Sequence, residues 1–205
     1  MPLPWLIALV VSAQIVLGCS PKADRMTWAL ENFPVWAGLV VLACTHRRFP
    51  LSSLCLGLLA FHSLIVALGG HYTYAKVPLG DWVRDAFGLA RNHYDRLGHF
   101  AQGFVPAVFM REILLRKTPL QRGGWLNFLV VCVCLAFSAC YEFIEWWTAL
   151  LTGAAATDFL GTQGDPWDTQ WDMFLAMVGA ICSVAFMSRW HDASMKRVLT
   201  VESSS

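Results

Sequence analysis

Residues 91–110 read RNHYDRLGHFAQGFVPAVFM. The second half is apolar enough to lie in lipid, yet the first half brings Asp95, His99 and Gln102 into the same helix. Their spacings of four and three place them along one helical face. A carboxylate in the hydrocarbon costs roughly 2.5–3.5 kcal/mol on insertion scales, so an ionisable stripe persists in a span only where it meets other protein groups, water or a ligand. The stretch therefore asks for a bundle of spans around a polar site.

The rest of the chain supplies that bundle. Hydrophobic residues make up 57% of the 205 positions and charged residues 14%, and the mean hydropathy is +0.51. This balance excludes an ordinary soluble domain. A net charge of +1 offers no electrostatic footprint for nucleic acid. Apolar runs predict spans at 4–19, 28–45, 50–69, 94–115, 125–150 and 169–190. The expected fold class is all-α, a polytopic membrane protein built as a bundle of about six transmembrane helices. One domain covers 1–200, and residues 201–205 form a disordered polar tail. Trp5, Trp28, Trp125, Trp146, Trp147, Trp167, Trp171 and Trp190 fall near the proposed ends, where indoles prefer the headgroup level.

Val16-Leu17-Gly18-Cys19 resembles a lipoprotein cleavage box, but Met1 to Pro4 carries no lysine or arginine, so the first span is read as uncleaved. The seven cysteines give no metal or disulfide spacing and are expected to be small buried hydrophobes. In the longest connection, 70–93, GDWVRDAFGLAR predicts a short interfacial helix with Trp82, Phe87 and Leu89 toward lipid.

Charge sets the orientation. Arg47, Arg48, Arg111, Arg116, Lys117, Arg122, Arg189, Lys196 and Arg197 share one side of the membrane with Glu112, Asp192 and Glu202. The other side holds six basic residues and eleven acids, Asp158 among them. The positive-inside rule makes both termini cytoplasmic and the acidic side external.

The acids on that side converge. Glu142 and Glu145 lie three apart with Ser138 a turn earlier, and Asp165, Asp168 and Asp172 open the sixth span. With Asp95 and His99, three helices each offer a stripe of ionisable groups to one end of the bundle. Arg91, Arg96 and a protonated His99 leave these acids with unmatched negative charge, which a divalent cation or bound protons would close. Asp95, His99 and Glu142 are the candidate catalytic groups, and Glu142, Glu145, Asp168 and Asp172 the candidate metal ligands. His71, Tyr74, Arg91, Asn92 and Asp165 are candidate substrate contacts. No cofactor is fixed beyond a possible divalent cation of the magnesium, calcium, manganese or zinc kind. The structural alternative makes Asp168 a helix cap and Asp165, before Pro166, a turn residue.

Elsewhere His62 reads as a hydrogen-bonded core residue, Gln14 and Asn32 as interhelical polar contacts, and Gly98, Gly103, Ala176 and Gly179 as points of close helix packing. GxSxG, HExxH, Walker and CxxC motifs are absent.

The stretches HYTYAKVPLG (71–80), RNHYDRLGHFAQGF (91–104), YEFIEWW (141–147) and FLGTQGDPWDTQWDM (159–173) resemble the YjdF family of bacterial inner-membrane proteins. The resemblance implies a six-span protein of the inner membrane and assigns no activity. A more distant similarity is to VanZ-like membrane proteins, through Asp95 and His99, Glu142 or Glu145, and Asp168 with Asp172. Glu145, Trp146 and Phe174 depart from the Gln and Asn that those proteins often carry.

Three functions fit these residues. The favoured one is an external polar site that binds a divalent cation and an envelope lipid or phosphorylated headgroup, with Asp95 or Glu142 as general base in a hydrolytic version. The others are a small proton-coupled transporter, for which Pro106 would mark a broken helix, and a structural or assembly protein without catalysis. Membrane lipids are the expected partners, and no protein partner is specified.

Overall fold

Asp24 shows how local chemistry sets the helix boundaries. Its side chain accepts hydrogen bonds from the backbone N–H groups of Met26 (2.9 Å) and Thr27 (3.0 Å) and from the Thr27 hydroxyl. These caps open the second helix, and the bonds from Thr27 hold the Asp24 carboxyl below its ordinary pKa. Ser52 caps the third helix through Cys55 N.

The computed structural model describes residues 3–152 and 162–202. Asp158 and the Phe159-Leu160-Gly161 start of one quoted stretch lie outside them. The helices are α1 (Leu3–Cys19), α2 (Arg25–Thr45), α3 (Ser53–Tyr72), α4 (Pro78–Phe87), α5 (Tyr94–Lys117), α6 (Gly124–Thr152), α7 (Asp168–Phe186) and α8 (Ser188–Glu202), with a 3-10 turn at Tyr74–Lys76. The described residues contain no strand.

Six of these helices coincide with the six expected spans. Four, α2, α3, α6 and α7, are long and apolar enough to cross a membrane by themselves, and α1 is a shorter apolar helix of 17 residues. The sixth is α5, in which His99 and Gln102 add to Arg111 and Glu112 and lower the hydropathy of the helix. At 24 residues it extends about 36 Å, and it is the central element, packed against α3, α6 and α7. Surrounding helices thus shield polar groups that lipid would reject. Both Pro34 and Pro106 lie inside continuous helices, so Pro106 does not break α5.

Two expectations need correction. The sixth span was expected to run to 190, but α7 stops at Phe186 and a separate polar helix, α8, starts at Ser188. Indole exposure at Trp190 suits a surface helix rather than a continued span. The expected disordered tail also begins too early, because Val201 and Glu202 close α8; residues 203–205 lie outside the described set. Of the cysteines, Cys55 and Cys134 are buried core residues, whereas Cys19, Cys44 and Cys140 are exposed.

The interfacial stretch forms α4, which ends at Gly88 in the left-handed conformation (φ 63°). Trp82, Val83 and Phe87 are exposed on it, with Leu89 just beyond, while Arg84 pairs with Asp81 and Asp85, each at 2.8 Å. Outward-facing apolar residues such as Phe33, Val40, Phe137, Leu150 and Ile181 suit contact with acyl chains.

Helix packing centres on α5 and α7. A Cβ placed on Gly103 would overlap the Ala176 carbonyl, and one on Gly179 would overlap the Phe100 carbonyl. The two backbones therefore touch, as small residues allow within a membrane. Ala107, Leu126, Val130, Cys134 and Ala180 continue this contact into α6. Toward α3, Val108 packs with Leu51, Cys55 and Leu56, and Val10, Val35 and Ala60 join α1, α2 and α3. Gly103→Ala and Gly179→Ala should each destabilise the detergent-purified protein by about 1–3 kcal/mol through overpacking. Gly57→Ala, where nothing lies within 4 Å of the new methyl, should instead raise the unfolding midpoint slightly, because alanine is the better helix former inside α3.

Candidate functional site

Asn92 fixes where the site begins. Its side-chain oxygen accepts from Tyr94 N at 2.9 Å, starting α5, while its amide donates to Val77 O (2.9 Å) and Asp81 Oδ1 (3.0 Å). Gln163 clamps the backbone of the same residue, accepting from Asn92 N at 3.1 Å and donating to Asn92 O at 2.9 Å. The loops before α4, α5 and α7 are thereby tied together. Asp95 falls in the first turn of α5 and His99 one turn deeper, opposite Asp172 in the second turn of α7.

His99 Nε2 stands 3.5 Å from Asp95 Oδ1 and 3.8 Å from Asp172 Oδ1. All three side chains are buried, and one ligand-type atom from each lies within 4.8 Å of the others. Both separations exceed the 2.7–2.9 Å or so of a strong charge-assisted hydrogen bond. Glu142, also buried, approaches from α6 within electrostatic reach of His99.

At the rim the arginines are already engaged. Arg91 Nη1 lies 2.8 Å from Asp168 Oδ1 and 3.3 Å from Asp165 Oδ2. Arg96 Nη2 lies 2.9 Å from the same Asp165 oxygen, and its guanidinium covers the Trp171 ring at 5.0 Å. Asp165 also accepts from Trp167 N, fixing the turn before α7. Inside the rim, Asp95, Asp172 and Glu142 face His99. Buried atoms there lack hydrogen-bond partners: His99 Nδ1, Asp172 Oδ1, Glu142 Oε1 and the Ser138 hydroxyl. Unpartnered polar atoms at such depth are costly unless something else meets them.

The other expected residues divide. Glu145 is only partly buried and is not one of the three closely grouped ligands. His71 is engaged elsewhere: its Nδ1 meets Leu17 O at 2.8 Å, and its own carbonyl accepts from Lys22 N and Ala23 N, joining α3 to the α1–α2 loop. Asn92 is the structural tie already described. Tyr74 borders the site, its ring lying in a slot between Gly69 and Gly98, where added Cβ atoms would sit 2.5 and 2.7 Å from it.

Two further features were missed in the sequence. Glu31 of α2 is buried and accepts a 3.5 Å hydrogen bond from the Tyr141 hydroxyl; an acid interrupting an apolar run was the available signal. At the opposite end of the bundle, Glu112 is fully buried. It accepts from Ser52 N (2.8 Å), Ser52 Oγ (2.6 Å), Arg116 Nη1 (2.8 Å) and His191 Nε2 (3.0 Å). Arg111 donates to His191 Nδ1 (3.1 Å) and Asp192 (2.8 Å), and Arg122 to Asp192 (2.9 Å). Since guanidinium only donates, Nδ1 is the acceptor and His191 carries its proton on Nε2. Partial burial would raise the Asp192 pKa, but Arg111 and Arg122 outweigh it and hold the carboxyl low. Both Glu112 oxygens are met by protein donors, Arg111 Nε alone among the buried atoms of the network lacks a partner, and the centre fastens α8 to α3 and α5.

The expected interhelical contacts are present: Gln14 Nε2 donates to Asn32 Oδ1 at 2.9 Å, and Trp36 Nε1 to Gln14 Oε1 at 3.0 Å. Residues 3–193 match a family model described as "Predicted membrane protein (DUF2238)". The chain belongs to this family. It is also 51% identical over 174 residues to "Inner membrane protein YjdF" of Escherichia coli (strain K12), covering 85% of this chain and 83% of that relative. No solved structure matches. With its run of apolar helices the chain is a multi-pass inner-membrane protein, and DUF2238 membership covers the entire bundle together with the start of α8.

Thr73 bears on how Tyr74 is placed. It is buried, its hydroxyl has no partner, and its backbone adopts φ 63°, ψ 142°, a region that costs a β-branched residue about 1–3 kcal/mol. Thr73→Gly should relieve that strain and raise stability by about 1 kcal/mol, read as a higher unfolding midpoint. An unchanged or lower midpoint would show that Thr73 packing outweighs the backbone term.

Proposed function

We infer that Asp95, His99 and Asp172 bind a divalent cation at the external end of the bundle, with Glu142 beside them, and that the cation engages an envelope lipid or another phosphorylated headgroup. The carrying observation is the grouping of three buried ligand-type atoms within 4.8 Å together with unpartnered buried atoms on His99, Asp172 and Glu142. Donors bonded at about 2.1 Å to one tetrahedral ion stand about 3.4 Å apart, close to the observed 3.5 and 3.8 Å. One imidazole with two carboxylates suits zinc or manganese better than magnesium or calcium. Arg91 and Arg96 are held at the rim by Asp165 and Asp168, and their unpartnered Arg91 Nε, Arg91 Nη2 and Arg96 Nε supply N–H donors where a phosphoryl group would enter. In a hydrolytic version the unpartnered Glu142 oxygen accepts the proton of the attacking water. No specific observation favours transport, since α2 and α5 continue through their prolines.

Metal analysis of detergent-purified protein by plasma mass spectrometry should find about one zinc or manganese per chain. His99→Ala and Asp172→Asn should lower the affinity about tenfold or more while Gln14→Ala retains the metal. A folded wild-type protein without bound metal after incubation with either ion would overturn the reading.

The charge asymmetry supports an external site and cytoplasmic termini. A reporter active only in the periplasm should be active when inserted at Gly88 and silent when fused after Ser205. The reverse pattern would move the site to the cytoplasmic face.

A further inference from the structure

The deep part of the site holds more carboxyl groups than one divalent cation takes as ligands. Glu31 from α2 and Glu145 from α6 add to Asp95, Asp172 and Glu142, and the two rim arginines are occupied by Asp165 and Asp168. Glu31, Tyr74, Tyr141, Glu145 and Asp95 lie within electrostatic reach of one another. Their placement is fixed by backbone: Glu31 Cβ would lie 3.0 Å from a Cβ on Gly70, and Tyr74 fills the slot between adjacent Gly69 and Gly98. The region therefore begins beside His99 and continues toward α2.

We propose that Glu31, Tyr74 and Tyr141 form a subsite for a primary ammonium group, making the site's ligand an aminophospholipid headgroup whose phosphate meets the cation at Asp95, His99 and Asp172. The proposal rests on the cation reading above and adds the identity of the headgroup.

Four observations support it. Glu31 is buried, and its hydrogen bond from Tyr141 is at the long limit, 3.5 Å, so a charged N–H donor would displace it favourably. Tyrosine faces attract cations, and Tyr74 packs beside Tyr94 at 5.9 Å between ring centres. Fully buried Ser138, on the α6 face that carries Tyr141, Glu142 and Glu145, has a hydroxyl without a partner, as does Thr73 next to Tyr74. Finally, the depth is right. Glu31 lies six residues into α2, about 9 Å along the axis, while Asp95, His99 and Asp172 occupy the first two turns of their helices. A headgroup entering from the outer leaflet reaches all of them without crossing the bilayer.

Carboxylate and hydroxyl oxygens require N–H donors, which distinguishes a primary amine from a quaternary one. An anionic headgroup without an amine would bring Glu31 and Glu145 no charged N–H donor.

The test is native mass spectrometry of delipidated, metal-loaded protein titrated with short-chain phosphatidylethanolamine, phosphatidylcholine, phosphatidylglycerol and free ethanolamine. Phosphatidylethanolamine should bind about tenfold or more tightly than the other two lipids. Glu31→Gln should remove that preference while retaining the metal. Tyr141→Phe, which keeps the ring, should weaken it and serves where Glu31→Gln fails to fold. Equal affinity for the three lipids, or an unchanged preference in folded Glu31→Gln, would overturn the proposal. Free ethanolamine binding as tightly as the lipid would overturn the lipid assignment in favour of a soluble amine. Bound metal without lipid preference sinks only this inference, whereas a chain that binds no metal sinks the cation reading on which it rests.

Discussion

The backbone contact between α5 and α7 is the constraint on which the rest depends. Asp95 and His99 belong to one helix and Asp172 to the other, so their atoms meet only while the two helices keep a fixed spacing and register. Gly103 against the Ala176 carbonyl and Gly179 against the Phe100 carbonyl set both. Because these contacts lie deeper than the acids, they hold the helices together below the site without occupying it. The polar groups can then remain imperfectly partnered without having to supply the packing energy themselves.

The two ends of the bundle deal with buried charge in opposite ways. Around Glu112, one buried carboxylate receives four hydrogen bonds from Ser52, Arg116 and His191. Arg111, Arg122 and Asp192 complete the network, which joins helices distant in sequence. Around His99, several carboxylates share a single imidazole, arginines are confined to the rim, and buried atoms lack partners. Desolvation is severe at both ends. The satisfied Glu112 carboxylate makes the first a lock, whereas the carboxylates of the second stay incompletely partnered, as the proposed ligand site requires. The lock also explains why α8 turns aside from α7: His191 and Asp192 must reach back to Glu112 and Arg111.

Much of this was legible in the sequence. Apolar runs of span length gave the helices, and three-four spacing placed Asp95, His99, Glu142, Asp168 and Asp172 on inward faces at one end. Local pattern failed where contacts are distant. Ser52 and Glu112 are 60 residues apart, and Glu112 and His191 are 79 apart, so neither pair leaves a periodic trace. Glu31 stands alone in its run, with no ionisable residue a turn away to mark a stripe. His71 had the chemistry of a ligand, but its position depends on the Leu17 carbonyl across the bundle. At the end of α7, Met187 and Trp190 flank Ser188 and Arg189 and leave no local stop signal such as Gly or Pro, whereas the helix break at Met187 accompanies the tertiary bonds of α8. Asn92 is a candidate substrate contact by sequence, yet its hydrogen bonds go to the start of α4, the start of α5 and the loop before α7, partners that no local pattern reveals.

That use of Asn92 links the membrane surface to the chemistry. Helix α4 exposes Trp82, Val83 and Phe87, a face suited to the interfacial layer, and Val77 and Asp81 at its start hold the Asn92 amide. Gly80 is required there, since a Cβ on it would overlap the Asn92 side chain. The same Asn92 starts α5 one residue before Asp95 and is clamped by Gln163 from the loop before α7. The exposed apolar face of α4 and the first turns of α5 and α7, which carry the proposed site, are thus joined through one side chain and its backbone. The depth of the proposed site relative to α4 is consequently a property of the fold.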